Sequence, residues 1–370
     1  MTAVHWNPAA RSWPGAAVPD VRAFHETLPG FEQTRLVELP EIAAELGVGR
    51  VLLKEESGRL GLPAFKILGA SYGIARALSA RLGFPDKSLP IEQLRRRLEA
   101  EPEPPIVMTA TDGNHGLAVA RTAAMLGLRS RIWFPASITA TAKSAIVSAG
   151  AEPVELDLPH SDLVGLAAMA ARELGESALL VQDTAWDGYR DVPAWIVDGY
   201  STLFREADAQ LAAAGVDTVD LMAVPTGVGS LTLAAVRHAR APGRADSPMV
   251  LSVEPTAAPV VLESLRRGEP IEIETEHTIM TGLNCGTVSS EAWPVLRDGM
   301  DAAIAIEDSE SAQAVRDLER MGVDAGPSGA ASLAGVRALV ASGAAKGALD
   351  ERSVLLLLST EGRAANPLPG

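Results

Sequence analysis

Short apolar runs alternate along the chain with longer alanine-rich segments whose polar positions recur at helical spacing. Between residues 105 and 157, the apolar runs PPIVMTAT, RSRIWFPA and AEPVELD are separated by HGLAVARTAAMLG and TAKSAIVSAG. Buried strands that alternate with amphipathic helices are typical of βαβ units with a parallel sheet. We therefore predict a βαβαβ unit over residues 105–157, with Gly127 and Gly150 ending its two helices.

The same alternation returns from residue 220 onward. One sheet is predicted from the runs DLMAVP, MVLSVEP, AAIAIED and SVLLLLST. Helices are predicted from VGSLTLAAVRHAR, Thr256–Arg267, SESAQAVRDLERMG and GPSGAASLAGVRALV. The proline-rich stretch up to Pro29 shows no such alternation. The pattern as a whole predicts an α/β fold with mostly parallel sheets.

Composition narrows the class of protein. The chain has 370 residues, enough for two domains, and no apolar run long enough to span a membrane. Its start does not resemble a secretion signal, so we expect a cytoplasmic protein. One cysteine and six scattered histidines argue against a disulfide and a metal site, and we predict no metal. The net charge of −15 disfavours nucleic-acid and membrane partners.

Polar loops follow several of the predicted strands. In open α/β sheets, ligands bind at the carboxyl ends of the strands, which makes these loops candidate binding sites. They are TATDGNHG (109–116), VQDTAWDGY (181–189), VPTGVGSL (224–231) and LLLLSTEG (355–362).

The glycine-containing loop VPTGVGSL has the features of an anion site. The backbone N–H groups of Gly227, Val228, Gly229 and Ser230 precede a predicted helix, where they can bind a phosphate. The loop lacks the lysine of a P-loop and the third glycine of a dinucleotide fingerprint, so nucleotides are disfavoured. A purely structural turn also explains two glycines at this spacing.

The other loops carry side chains that suit acid–base and binding chemistry. Asp112, Asn114 and His115 follow one strand, although a helix-capping role also explains Asp112 or Asn114. The loop at 181–189 carries the carboxylates of Asp183 and Asp187. Ser359 and Thr360 end an apolar strand, where a hydroxyl can bond to the nitrogen of a heterocycle without charging it.

Several motifs, in order along the chain, resemble the pyridoxal 5'-phosphate (PLP) enzymes of fold type II, the superfamily of tryptophan synthase β and threonine dehydratase. These are AFKILGASYGIARAL, TDGNHGLAVA, PTGVGSL, GPSGAASL and LLLLSTEG. Three longer segments resemble the diaminopropionate ammonia-lyase family in particular. These are AFHETLPGFEQTRLVELPEIAAELGVGRVLLKEESGRLGLPAFK, QDTAWDGYRDVPAWIVDGYSTLF and TIMTGLNCGTVSSEAWPVLRDGM. The similarity runs from about Ala23 to Gly362.

This resemblance implies a fold, a cofactor and an assembly. The cofactor is PLP, and the fold consists of two three-layer αβα domains with open, twisted, mostly parallel sheets. Residues 1–75 and 188–370 are expected to form the large PLP-binding domain, and residues 76–187 a small mobile domain. A homodimer that acts on a small amino acid is also implied.

The resemblance also assigns the residues that hold the cofactor. Lys66 is expected to form the Schiff base with PLP, and its place at a helix N-terminus beside apolar residues favours the neutral amine. Phe65 is expected near the cofactor ring, and Asn114 as a hydrogen-bond donor to its 3'-oxygen. The loop Gly227–Ser230 is expected to bind the phosphate. Ser359, or alternatively Thr360, is expected to bond to the ring nitrogen.

The residues around the substrate follow from the same resemblance. Asp112 stands where the dehydratases of the superfamily carry serine or threonine. It is expected to pair with a β-ammonium group or to remove the α-proton on one face, with Lys66 acting on the other. Asp183 is expected to assist the leaving amine. The α-carboxylate is expected to bind to the loop that contains Thr111, Asp112, Gly113 and His115.

The implied reaction is the α,β-elimination of D- or L-2,3-diaminopropionate to pyruvate and two ammonia molecules. One alternative keeps the fold and cofactor but makes the chain a serine or threonine dehydratase or a β-replacement synthase. Another is a non-catalytic binding protein on this fold. Simpler roles are open for three features: Cys285 as a small buried residue, His115 as a positional side chain, and GPSG (326–329) as a helix start.

Overall fold

The structure is a computed structural model that describes residues 4–111, 113–244 and 246–368. Its strands are β1 (Val4–Trp6), β2 (Leu36–Glu38), β3 (Arg50–Glu55), β4 (Ile106–Ala110), β5 (Ser130–Pro135), β6 (Glu152–Leu156), β7 (Ala178–Leu180), β8 (Leu221–Pro225), β9 (Met249–Pro255), β10 (Ala302–Ile306) and β11 (Val354–Ser359). Its α-helices are α1 (Arg22–His25), α2 (Pro40–Leu46), α3 (Lys66–Arg81), α4 (Ile91–Glu99), α5 (Asn114–Met125), α6 (Ala140–Ser148), α7 (His160–Leu174), α8 (Asp191–Gly199), α9 (Ser201–Ala213), α10 (Ser230–Ala239), α11 (Val260–Arg267), α12 (Trp293–Gly299), α13 (Asp308–Arg320) and α14 (Pro327–Ala341).

The chain forms two compact units. The first consists of residues 1–19, 33–58 and 203–370, and the second of residues 20–32 and 59–202. These limits differ from the domain boundaries expected after residues 75 and 187. The expected domains were defined by cofactor binding and by mobility. Compact units are defined by contacts within the chain, so they do not test those boundaries, which stay a prediction.

The first unit contains a seven-stranded sheet in the order β1-β10-β9-β8-β11-β3-β2. The inner strands pair in parallel, and β1 and β2 add antiparallel edges. All residues of β8 and β10 are buried, as expected for parallel strands that are covered on both faces. Because β8 and β11 are parallel neighbours, the loop after Pro225 and the residues after Ser359 lie at the same edge of this sheet.

The second unit contains a four-stranded parallel sheet in the order β6-β5-β4-β7. Its strand β4 is fully buried and leads through residues 111–113 into α5. Strand β7 lies at the edge of the sheet beside β4, so that Asp183 and the loop after Ala110 both follow carboxyl ends of neighbouring strands. Helix α3, which begins at Lys66, packs against α8 in the same unit.

The predicted α/β class with mostly parallel sheets is confirmed, as is the βαβαβ unit, which consists of β4, α5, β5, α6 and β6. Gly127 and Gly150 follow α5 and α6 with positive φ angles of 72° and 93°. Strands β8 to β11 share one sheet, as predicted. Within the described ranges, no helix is both long and apolar enough to cross a bilayer.

Helix α11 and the N-terminal stretch differ from the prediction. Helix α11 begins at Val260 rather than Thr256, with Pro259 at its N-cap. A residue before proline is disfavoured in the helical region, so the helix cannot extend back through Ala258. Strand β1 and the short helix α1 lie in the N-terminal stretch for which no element was predicted, and β1 pairs Val4 with Ile304.

Candidate active site

Lys66 and Asp183 form an ion pair in the second unit. Lys66 is the first residue of α3, and its Nζ lies 2.7 Å from Oδ2 of Asp183. The two side chains are 22% and 15% exposed, so solvent reaches the pair only partly. The sequence predicts apolar surroundings that favour a neutral amine, but the structure adds a carboxylate that favours the ammonium form.

The electrostatics of this pair keep Asp183 ionised. Burial alone would raise the pKa of Asp183, but neighbouring His115 and Lys66 lower it well below its ordinary value. Burial lowers the pKa of His115. Its Nε2 donates to the carbonyl of Val181 over 2.8 Å, and its Nδ1 lies 3.8 Å from Asp183. The positional role predicted as one reading of His115 agrees with this hydrogen bond.

The loop after β4 is held by Thr111. The Thr111 side-chain oxygen accepts hydrogen bonds from the N–H groups of Gly113 and Gly116, both over 2.9 Å. The N–H of Gly113 is therefore already used within the loop, which weakens its predicted role as a carboxylate donor. Asn114 begins α5. Asp112, the predicted acid–base residue, lies outside the described residues.

An aromatic pair begins beside the Lys66 amine. Its Nζ lies 5.5 Å from the ring centroid of Phe65, and that ring lies 4.8 Å from the ring of Tyr200. Tyr200 is fully buried, and burial raises the pKa of its phenol to about 12. Phe65 is 6% exposed. Phe65 thus lies beside the Lys66 amine, and its expected place near the cofactor ring stays a prediction.

In the first unit, the glycine loop leads into α10. Gly229 is the N-cap of this helix, with a φ of +96° that favours glycine. A Cβ atom at Gly227 would lie 2.9 Å from Sγ of Cys285, which is half-buried rather than fully buried. Within residues 4–111, 113–244 and 246–368, no acceptor binds the N–H groups of Gly227, Val228 and Gly229.

Two serine hydroxyls lie at the end of β11. Ser359 is fully buried and Ser328 is 2% exposed, and neither Oγ has a hydrogen-bond partner in the part of the chain that the structure describes. A Cβ atom at Gly329 would lie 3.0 Å from Oγ of Ser359, which brings the start of α14 close to this hydroxyl. The GPSG segment does begin a helix, with Pro327 at its first position. Thr360, the alternative partner, is also buried, 5% exposed.

These groups fit PLP. Backbone donors at a helix N-terminus suit a phosphate, and a buried hydroxyl without a partner suits a ring nitrogen. The Lys66 amine suits an aldehyde carbon. The sequence missed Tyr189 and Gln182, because nothing in the local pattern marks a side chain that bonds to the backbone of another segment. It also missed Tyr200, whose ring packs against Phe65 from another helix.

Comparisons with known proteins agree with this chemistry. A family model described as pyridoxal-phosphate dependent enzyme matches residues 27–360. The diaminopropionate ammonia-lyase of Salmonella typhimurium is 34% identical, over 93% of this chain and 88% of its own length. That of Escherichia coli is 35% identical, over 92% of this chain and 87% of its own length.

Solved structures of the Escherichia coli lyase share the fold. Its complex with D-serine matches with a TM-score of 0.87 at 29% identity, covering 98% of this chain and 94% of that chain. Its complex with an aminoacrylate-PLP azomethine reaction intermediate matches with a TM-score of 0.83 at 30% identity and the same coverage. The resemblance predicted from the motifs is confirmed, and so are the fold type and PLP as the cofactor. The chain belongs to the family of pyridoxal-phosphate dependent enzymes.

Proposed function

We propose that this chain is an ammonia-lyase that converts D- and L-2,3-diaminopropionate to pyruvate and two ammonia molecules. The observation that carries the proposal is the Asp183 carboxylate, 2.7 Å from the Lys66 amine. An ionised carboxylate beside the reacting amine attracts a substrate with a second ammonium group. The same carboxylate attracts the hydroxyl of serine much less strongly, because a hydroxyl is uncharged.

Lys66 has two tasks in the proposed reaction. Its amine would hold PLP covalently at the aldehyde carbon, and it would be available as a base once the amine of the substrate occupies that carbon. When bound, PLP withdraws electrons from the α-carbon of the substrate and so makes its C–H bond acidic. The released Lys66 amine removes the α-proton on one face, and the Asp112 carboxylate removes it on the opposite face for the other enantiomer.

Asp183 acts on the leaving group. Because its pKa lies below the ordinary value, it is a carboxylate near pH 7 and accepts hydrogen bonds from the β-ammonium group. This contact orients the bond between Cβ and nitrogen for cleavage. The bond electrons leave with the nitrogen, and ammonia departs. The aminoacrylate product then hydrolyses to pyruvate and the second ammonia.

The remaining site residues are proposed to bind and orient. The phosphate is assigned to Gly227, Val228, Gly229 and Ser230, supported by the N–H groups that precede α10. The ring nitrogen is assigned to Ser359, with Thr360 as the alternative, because the Ser359 hydroxyl is buried without a described partner. Asn114 is assigned to the 3'-oxygen and Phe65 to the ring. The α-carboxylate is assigned to the loop Thr111–His115.

We further propose that the chain works in the cytoplasm as a homodimer. The net charge of −15 supports an aqueous setting without nucleic-acid or membrane partners. The homodimer is supported by the motif resemblance. Sedimentation of the purified holoenzyme measures its mass directly.

A substrate panel tests the proposed function. We expect the holoenzyme to release pyruvate from D- and L-2,3-diaminopropionate faster than it releases pyruvate from D- or L-serine or 2-oxobutyrate from L-threonine. Ammonia and pyruvate should form in a ratio of two to one from diaminopropionate and one to one from serine. Turnover of serine or threonine at an equal or higher kcat/KM would favour the dehydratase alternative. Turnover that requires an added nucleophile would favour a β-replacement synthase.

The Asp112→Asn variant tests the stereochemical assignment. An amide cannot accept the α-proton, so kcat should fall about 10²–10³-fold with one enantiomer of diaminopropionate and change little with the other. The visible absorption of bound cofactor should stay intact. Asp187→Asn is the matched control, because the Asp187 side chain in the same unit is 99% exposed. Equal losses with both enantiomers would refute the assignment.

A further inference from the structure

Asp183 follows β7, a strand at the edge of its sheet. Strand β7 ends at Leu180, and among the described residues it pairs with β4 and with no strand on its outer side. The N–H of Val181 donates to the carbonyl of Met108, so the backbone groups of Val181 face β4. Because the groups of successive residues point to opposite sides of a strand, those of Leu180 and Gln182 face outward. A side chain must fix this outer side if Asp183 is to keep one position.

The hydroxyl of Tyr189 occupies that outer side. It accepts a hydrogen bond from the N–H of Gln182 over 2.8 Å and donates one to the carbonyl of Leu180 over 3.0 Å. One phenol thus replaces the contacts that a further strand would make. Burial raises the pKa of Tyr189 above its ordinary value, so the phenol keeps its proton near neutral pH and both bonds persist.

A tight turn brings Tyr189 back to the strand. The backbones of Trp186 and Tyr189 exchange hydrogen bonds of 3.3 and 2.9 Å. Between them, Gly188 has a φ of +86°, which favours glycine. The rings of Trp186 and Tyr189 are stacked, with centroids 4.4 Å apart. The turn and the stacking together leave the phenol little freedom.

Contacts on the inner side complete the arrangement. His115 donates to the carbonyl of Val181, as described above. The side chain of Gln182 is 1% exposed and bonds to both backbone groups of Ala110, over 3.0 and 3.1 Å. Val181 and Gln182, which precede Asp183, are therefore bonded to His115 and Ala110 on the inner side of the strand. On the outer side, the backbone bonds to Tyr189.

We propose that Tyr189 is a positioning residue that holds the Asp183 carboxylate against the Lys66 amine. This inference rests on the proposed role of Asp183 in expelling the β-amino group. Tyr189 acts through Asp183 alone. Its removal therefore alters the leaving-group step and leaves cofactor binding as it is.

The test combines Tyr189→Phe with Asp183→Asn. We expect Tyr189→Phe to lower kcat with diaminopropionate about tenfold, with the absorption of bound cofactor unchanged. Asp183→Asn should lower kcat about 10²–10³-fold. The double variant should be no more than about twofold slower than Asp183→Asn, because the phenol has nothing left to position. The control is Tyr72→Phe, which removes a phenol hydroxyl from α3 with no change in kcat.

A pH profile separates positioning from a loss of stability. The Asp183 carboxyl is surrounded by Lys66 on α3, His115 on α5 and His160 on α7. If Tyr189→Phe lets the carboxyl move away from these groups, its lowered pKa rises. The acid limb of the kcat profile should then shift toward higher pH. Gly188→Ala, which strains the same turn, should give a smaller shift in the same direction, and it serves if Tyr189→Phe does not fold.

The possible failures are distinct. If Asp183→Asn keeps the kcat of the unchanged protein, the proposed role of Asp183 fails and the inference fails with it. If Asp183→Asn is impaired but the two losses multiply in the double variant, Tyr189 acts independently and only the inference is overturned. An unchanged kcat and acid limb in both Tyr189→Phe and Gly188→Ala overturns it as well.

Discussion

Lys66→Ala should abolish the formation of pyruvate, with a fall in kcat of at least about 10⁴-fold. The expected loss is larger than that for any single acid–base group, because one amine both bonds to the cofactor and moves a proton. The position supports this: Lys66 begins α3, its Nζ lies 2.7 Å from Asp183, and the ring of Phe65 lies beside it. The assay follows pyruvate and ammonia after incubation with D- and L-diaminopropionate.

A second readout separates chemistry from binding. Reduction of the holoenzyme with borohydride should fix the cofactor to one peptide, which mass spectrometry identifies as the peptide containing Lys66. Lys66→Ala should yield no labelled peptide. The matched control is Lys87→Ala in the same unit, because Lys87 is exposed and should keep full activity and labelling. A label on another lysine, or retained turnover in Lys66→Ala, contradicts the assignment.

The sequence predicted those parts of the fold that depend on local pattern. Strand β4 and helix α5 follow directly from an apolar run, a polar turn and an alanine-rich helix with Gly127 at its end. Strand β1 could not be predicted, because its three half-buried residues carry no periodicity and depend on the distant β10 for their pairing. The start of α11 is set by Pro259, and a pattern of apolar positions does not show where a proline limits a helix.

The candidate site also contains residues that the sequence predicts and contacts that it does not. Motifs marked Lys66, the glycine loop and Ser359, because each is a residue type that the chemistry requires at a strand or helix end. The pairing of Lys66 with Asp183 joins residues that are 117 positions apart, and no spacing rule gives their distance. The hydroxyl of Tyr189 bonds to the backbone of Leu180 and Gln182, so its function depends on a turn and not on a residue pattern.

Lys54→Met should lower the free energy of unfolding by about 3–5 kcal/mol. Nζ of Lys54 lies 2.9 Å from Oε2 of Glu206, and both side chains are fully buried in the first unit. The ammonium also donates to the carbonyl of Thr34 and to Gln210, over 2.9 and 2.8 Å. Methionine fills similar space but removes the ammonium that pairs with Glu206. The expected cost is that of removing one partner from a buried ion pair, and urea unfolding of the variant measures it.

Two further variants isolate the buried charge as the cause. Lys54→Met combined with Glu206→Leu should recover most of the loss, because an apolar pair in place of a buried ion pair is often neutral. Arg50→Met on the same strand β3 should cost about 1 kcal/mol or less, since its pair with Glu38 is partly exposed, at 29% and 46%. If Lys54→Met costs no more than Arg50→Met, burial of the pair does not set its contribution. If the double variant is less stable than Lys54→Met, the lost hydrogen bonds to Thr34 and Gln210, and not the charge on Glu206, account for the destabilisation.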